Sequence, residues 1–108
     1  MRSSDPRTVF CRRLREARLA AGLSQKQLGI KAGLDAFVAS TRVNRYEVGV
    51  HEPDLGMAAR LAHAASVPLA YFYAEDDRLA LLIKNFKRSG PKLSRTDIAA
   101  SGRKAKAE

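Results

Sequence analysis

Apolar residues return at helical spacing in successive stretches of this chain, and glycine and proline punctuate the stretches. Phe10, Leu14, Ala17 and Ala21 share one face, with Arg12, Arg13, Arg15 and Glu16 mostly off it, which predicts a first helix over about 8–21. Leu28 and Ala32 fall one turn apart in a second helix over 25–32. Working back from Gly49, the positions Ala39, Val43 and Tyr46 line one face and predict a third helix over 40–47. Asp54 is a good N-cap for a fourth, whose stripe is Leu55, Ala58, Leu61, Ala62 and Ala65 and which ends near Ser66. Pro68 opens a short fifth turn over Leu69 to Tyr73, in which Leu69 and Phe72 read as core and the tyrosines as rim. Glu75, Asp76 and Asp77 place carboxylates where a helix N-terminus favours them. Leu79, Leu82, Ile83 and Phe86 continue as an amphipathic sixth helix to about Lys87. Residues 1–7 read as a flexible start, 8–74 as a helical domain, 75–89 as an added amphipathic helix and 90–108 as a disordered basic tail.

The junctions between the first three helices are the most specific part of the pattern. Ser24 with Gln27 three residues on makes a capping box. Gly22, just before it, suits the left-handed end of the preceding helix. Gly29 leaves one helix face bare where another helix can cross closely, and Gly33 supplies a sharp turn. A short capped helix, a small residue at its waist and a glycine turn form the front half of a helix-turn-helix. Two readings of Asp35-Ala36-Phe37-Val38-Ala39 are open. Either it is a loop that lets Ser40 cap the third helix, or Asp35 caps a longer one.

Charge narrows the class of partner. The chain of 108 residues has 20 Lys+Arg against 11 Asp+Glu, a formal net charge of +9. Residues 1–76 carry eleven basic and eight acidic side chains (+3), and residues 77–108 carry nine and three (+6), so the excess is concentrated in the last third. A positive field of this kind attracts polyanions. The candidate basic amphipathic helix is too short for a membrane surface, so nucleic acid is the favoured partner. Cys11 is the single cysteine, so no internal disulfide is possible and a reducing, cytoplasmic setting fits. Arg12, Arg13 and Arg15 around it could lower its pKa, although a small semi-buried thiol is the plainer reading. No stretch reads as a signal peptide or a membrane span.

Taken together, Leu14-Arg15-Glu16-Ala17-Arg18, Gly22-Leu23-Ser24-Gln25, Ala32-Gly33-Leu34, Val43-Asn44-Arg45-Tyr46-Glu47-Val48-Gly49, Pro53, Leu61-Ala62 and Val67 resemble one known family. It is the phage repressor and Cro-like helix-turn-helix family, also called the xenobiotic-response-element type. The resemblance implies an all-α fold, a five-helix lambda-repressor-like bundle, here with an additional C-terminal amphipathic helix and the disordered basic tail. It also implies a third helix that enters the major groove of double-stranded DNA, with Thr41, Arg42, Asn44 and Arg45 at base-reading positions. Ser24, Gln25, Lys26 and Ser40 are implied at phosphates, and Arg18 and Glu47 as an internal salt bridge. The family usually has about four fewer residues between the turn glycine and the Tyr-Glu-x-Gly end, and often a Lys or Arg where Val50 stands.

Arginine can donate two hydrogen bonds to guanine, and asparagine can pair bidentately with adenine. Arg12, Arg13, Arg15, Lys26 and Lys31 fit phosphate or solvent better than bases. His51 and His63 have no partner ligands at metal spacing, so neither a metal nor a cofactor is expected. No phosphate-binding loop, nucleophile elbow or acid–base constellation points to an enzyme. The reading is a transcriptional regulator of the repressor kind, acting as a homodimer whose contact surface is Leu79, Leu82, Ile83 and Phe86. The alternative is an antitoxin-like protein-binding module whose last helix and tail, with Leu93 and Ile98, hold a protein partner.

Overall fold

The computed structural model describes residues 5–86, which form five α-helices and one 3-10 segment: α1 (Pro6–Ala20), α2 (Gln25–Lys31), α3 (Ala36–Val48), α4 (Leu55–Ala64), the 3-10 segment (Leu69–Tyr73) and α5 (Asp77–Asn85). The all-α bundle is as expected, with the 3-10 segment standing where its fifth helix was placed. Residues 1–4 of the expected flexible start and the expected tail of 90–108 lie outside the described residues.

Two helix starts differ, both through an aspartate, and α4 and α5 end about two residues earlier than expected, at Ala64 and Asn85. Asp5 caps α1 by accepting the Arg7 N–H at 2.9 Å, and Pro6 occupies the first helical position, where its missing N–H costs nothing. The helix therefore begins at Pro6 rather than Thr8. Asp35 caps α3 by accepting the Phe37 N–H at 2.8 Å, so α3 is a turn longer than 40–47 and Ser40 lies inside it. The carboxylates of Asp54 and Asp76 cap α4 and α5 in the same way. Glycines at positive φ follow α1, α2 and α3: Gly22 at 72°, Gly33 at 97° and Gly49 at 84°.

The core is built from Leu14, Leu28, Val43, Leu61 and Phe72, all essentially inaccessible, with alanines from α1, α3 and α4 filling the remaining volume. Phe10 packs edge-on against Phe72 with ring centroids 5.0 Å apart. Tyr71 is buried rather than at the rim, and its hydroxyl donates to Glu16 at 3.4 Å; Tyr73 is half exposed.

A buried cation ties α1 to the C-terminal part of the bundle. Arg13, expected at phosphate or solvent, is 3% exposed. Its Nε donates to the Ala74 carbonyl at 2.9 Å, Nη1 to Glu16 at 3.1 Å and Nη2 to Asp77 at 3.0 Å, while the guanidinium lies over the Tyr71 ring. Arg12 also reaches Asp77, at 3.1 Å. Helical periodicity places both arginines off the apolar face, but partners from the 3-10 segment and the start of α5 make burial of Arg13 affordable.

Candidate nucleic-acid interface

The α2–turn–α3 unit begins with the capping box the sequence predicts. The Ser24 hydroxyl accepts the Gln27 N–H at 3.0 Å, and the Gln27 side chain accepts the Ser24 N–H at 2.8 Å. At the other end of α2 the Leu34 N–H returns to the Gly29 carbonyl at 2.9 Å, closing the turn around Gly33. The two helices touch at Gly29. A Cβ placed there would lie 2.7 Å from the Ala39 Cβ and 2.9 Å from the Ala39 carbonyl oxygen. The absent side chain thus fixes how closely α3 seats on α2.

With Ala39, Val43, Tyr46 and Glu47 buried, α3 turns the opposite face to solvent. Phe37, Thr41, Asn44, Arg45 and Val48 populate that face, each exposed. Thr41, Asn44 and Arg45 make no side-chain hydrogen bond among the described residues, so their donors and acceptors face water. Arg42 is different: its Nη2 donates to the Tyr46 hydroxyl at 2.8 Å and its guanidinium lies over the same ring. The structure thus places Thr41, Asn44 and Arg45 together on the outer face and Arg42 on its flank. Phe37 joins that face only because α3 starts at Ala36. A helix starting at Ser40 would leave it in a loop, and the signal that could have found it is Asp35, a good N-cap two residues earlier.

The Arg18–Glu47 pair holds the end of α3 against α1. Arg18 Nε meets Glu47 Oε2 at 2.6 Å and Nη2 meets Oε1 at 3.2 Å, both side chains largely buried. Arg18 Nη1 donates to the Leu23 carbonyl at 3.0 Å, and Gln25 Nε2 donates to Glu47 Oε1 at 3.1 Å. One bidentate ion pair therefore ties α1, the α1–α2 turn, the start of α2 and the end of α3. Among the four residues expected at phosphates, Lys26 and Ser40 are exposed, Ser24 accepts in the cap and keeps its O–H free to donate, and Gln25 keeps a second amide hydrogen.

The balance of charge on this unit is positive at the surface. Lys26, Lys31, Arg42 and Arg45 are exposed, whereas Glu47 is neutralised by Arg18 and Asp35 turns its carboxylate to a backbone N–H. Cys11 stands behind α3: its thiol donates to the Tyr46 carbonyl at 3.2 Å. Burial pushes that thiol above its ordinary pKa, so the neighbouring arginines do not activate it. His51 and His63 are exposed, and no group of His, Cys, Asp and Glu among the described residues could hold a metal ion.

On α5, the four residues expected at a dimer surface divide. Ile83 is half-buried against the core of its own chain, whereas Leu79, Leu82 and Phe86 are 49%, 70% and 68% exposed. Leu82, Ile83 and Phe86 line an apolar groove with Pro68. No described helix is long and apolar enough to cross a membrane.

This geometry has known relatives. A family model described as helix-turn-helix matches residues 14–72, from the middle of α1 through the 3-10 segment. The chain is also similar to the crystal structure of the transcriptional regulator BswR, with 38% identity, 91% of this chain and 93% of that chain covered, and a TM-score of 0.67. Among curated proteins none matches the chain. The capped α2, the glycine turn, the seated α3 and a family match over more than half of the 108 residues lead to one conclusion: the chain belongs to the helix-turn-helix family of the phage repressor and Cro type.

Proposed function

We propose that this DNA-binding transcription regulator reads double-stranded DNA sequence-specifically, with the outer face of α3 in the major groove, and that it does so as a homodimeric repressor. The observation that carries the reading is the composition of that face. Thr41, Asn44 and Arg45 project from one rigid helix with their hydrogen-bonding groups unengaged, and the two carboxylates of the unit are turned to internal partners. Arg45 suits guanine O6 and N7, and Asn44 suits adenine N6 and N7. Arg42 serves the same face from its flank after exchanging the Tyr46 hydroxyl for a base or a phosphate. Ser24, Gln25, Lys26 and Ser40 supply phosphate contacts, which fix register rather than sequence. No cofactor enters this reading.

Similarity to a solved transcriptional regulator supports the role, and the exposed apolar edge of α5 supports the dimer. A second copy seated on Leu79, Leu82 and Phe86 would carry a second α3, for a second half-site. The test is selection of bound duplexes from a random pool by the full chain at near-physiological salt, with Asn44→Ala/Arg45→Ala run in parallel. A two-fold-related motif that disappears in the variant is the expected result. A pool without enrichment would reject sequence-specific reading in favour of non-specific or protein-directed binding.

A further inference from the structure

Phe37 is 96% exposed, more than any other large apolar side chain among the described residues. It is also firmly placed. Its own N–H is the one that the Asp35 carboxylate accepts in capping α3, at 2.8 Å, so the backbone beneath the ring belongs to an ordered first turn. Phe37, Thr41 and Arg45 stand four residues apart in series and so rise one above another along the outer face. A ring of this size held in water on a rigid helix gains free energy from whatever covers it.

The surroundings of the ring decide what that is. Below it on the stripe come a hydroxyl and a guanidinium, and the exposed cations Lys31 and Arg42 belong to the same unit. An apolar protein partner would have to bury those polar groups along with the ring. The major groove instead offers phosphates for the cations, base acceptors for Thr41 and Arg45, and one apolar group, the 5-methyl of thymine. The N-terminal residues of a recognition helix reach base edges, and Phe37 is the second residue of α3. It is the largest side chain of the turn that α3 gains by starting at Ala36, after the Asp35 cap.

We propose that Phe37 is a specificity residue whose ring packs against the 5-methyl group of one thymine in each half-site. The proposal rests on α3 being the groove-facing helix. Replacing thymine by deoxyuridine in the selected operator removes only the methyl and leaves pairing and the O4 acceptor intact. One lost methyl contact corresponds to roughly a fourfold loss of affinity, and two related half-sites to about fifteenfold. The wild-type chain should show this penalty at one thymine per half-site. Phe37→Ala should lose about as much on the all-thymine duplex and show no further loss with deoxyuridine, whereas Arg45→Ala should retain the deoxyuridine penalty. Because the ring is exposed, Phe37→Ala should keep the thermal midpoint of the wild type. If the wild type selects a motif but no thymine is sensitive, or Phe37→Ala keeps the same sensitivity, the Phe37 proposal fails and the reading of α3 stands. If Phe37→Ala changes the oligomeric state instead, the ring is a protein contact and the proposal fails. If no motif is selected at all, both fail together.

Discussion

Gly29 shows how one missing side chain sets a functional geometry. Alanine is the better helix former by about 1 kcal/mol, so propensity alone favours Gly29→Ala. The space does not: the new methyl would meet the Ala39 Cβ at 2.7 Å and the Ala39 carbonyl oxygen at 2.9 Å. Overpacking of this kind costs about 1–3 kcal/mol, so the clash wins. Gly29→Ala should lower stability by up to about 2 kcal/mol in urea denaturation. Adding Ala39→Gly should recover only part of it, since the carbonyl remains in the way. Full recovery would show that the two Cβ positions alone set the helix separation. Glu47 presents the opposite case, a side chain that cannot be removed alone. Its carboxylate is 2% exposed and the Arg18 side chain 10%, so Glu47→Gln leaves a buried cation half-matched. Breaking a buried pair costs about 3–5 kcal/mol, while replacing both partners by apolar residues is often close to neutral. Arg18→Met/Glu47→Leu should therefore be more stable than Glu47→Gln in the same denaturation experiment. The reverse order would mean that the pair stabilises the fold outright.

Among the elements, what the sequence makes legible and what it hides divide at the helix starts. Most of the stripes of α1, α3 and α4 follow from apolar spacing because each packs one face on a common core; Leu14, Val43 and Leu61 are all essentially inaccessible, whereas Ala21 and Leu55, expected on the stripes, lie at helix ends and are exposed. The capping box of α2 is equally plain, because both of its residues act within one turn. The sequence leaves the start of α3 open between Asp35 and Ser40, since both are good N-caps and the apolar stripe does not begin until Ala39. Contact between Ala39 and Gly29, a tertiary fact, selects the earlier start. For the candidate site this means that Thr41, Asn44 and Arg45 fall on the outer face whichever start holds, while Phe37 joins it only with the Asp35 cap. Arg13 was hidden for a similar reason, as its partners come from residues 74 and 77, over sixty positions away. At α5 the cap is exposed and titrates. Asp76 accepts the Arg78 N–H at 2.6 Å and the Leu79 N–H at 3.4 Å. The Arg78 backbone bond, helped by its side chain and by Leu79, holds the carboxyl below its ordinary value of 3.8. A carboxyl depressed on folding contributes its stability above the unfolded pKa and loses it as pH falls through the folded one. The Arg78 and Leu79 amide resonances should thus shift together in acid with a midpoint below 3.8. Asp76→Asn, which still caps but does not titrate, should abolish that shift. A midpoint above the ordinary value would mean that the cap bonds do not form in solution.

For the whole molecule the question is how a single small bundle obtains enough affinity to regulate. On the proposed reading one α3 makes a few base contacts, and two half-sites about one helical turn apart, ~34–36 Å, would require two copies in fixed relation. The exposed apolar edge of α5 can supply that relation. Leu79, Leu82 and Phe86 lie at i, i+3 and i+7 on it, and Leu82 faces the groove next to Pro68. Because Leu82 is 70% exposed in the single chain, Leu82→Lys should leave the thermal midpoint at high dilution unchanged. It should, however, convert a dimer to a monomer in sedimentation velocity at micromolar concentration. The DNA measurement then separates assembly from recognition. Each phosphate neutralised steepens the dependence of log affinity on log salt by about 0.9, so a monomer on one half-site should show about half the slope of the wild type on the full operator. Base preference within that half-site should survive, since α3 is untouched. A variant that stays dimeric with the full slope would move the interface off α5. A variant that is monomeric yet keeps the full slope would mean that the second half-site is filled without contact between the copies, and cooperativity would then have to come from the DNA.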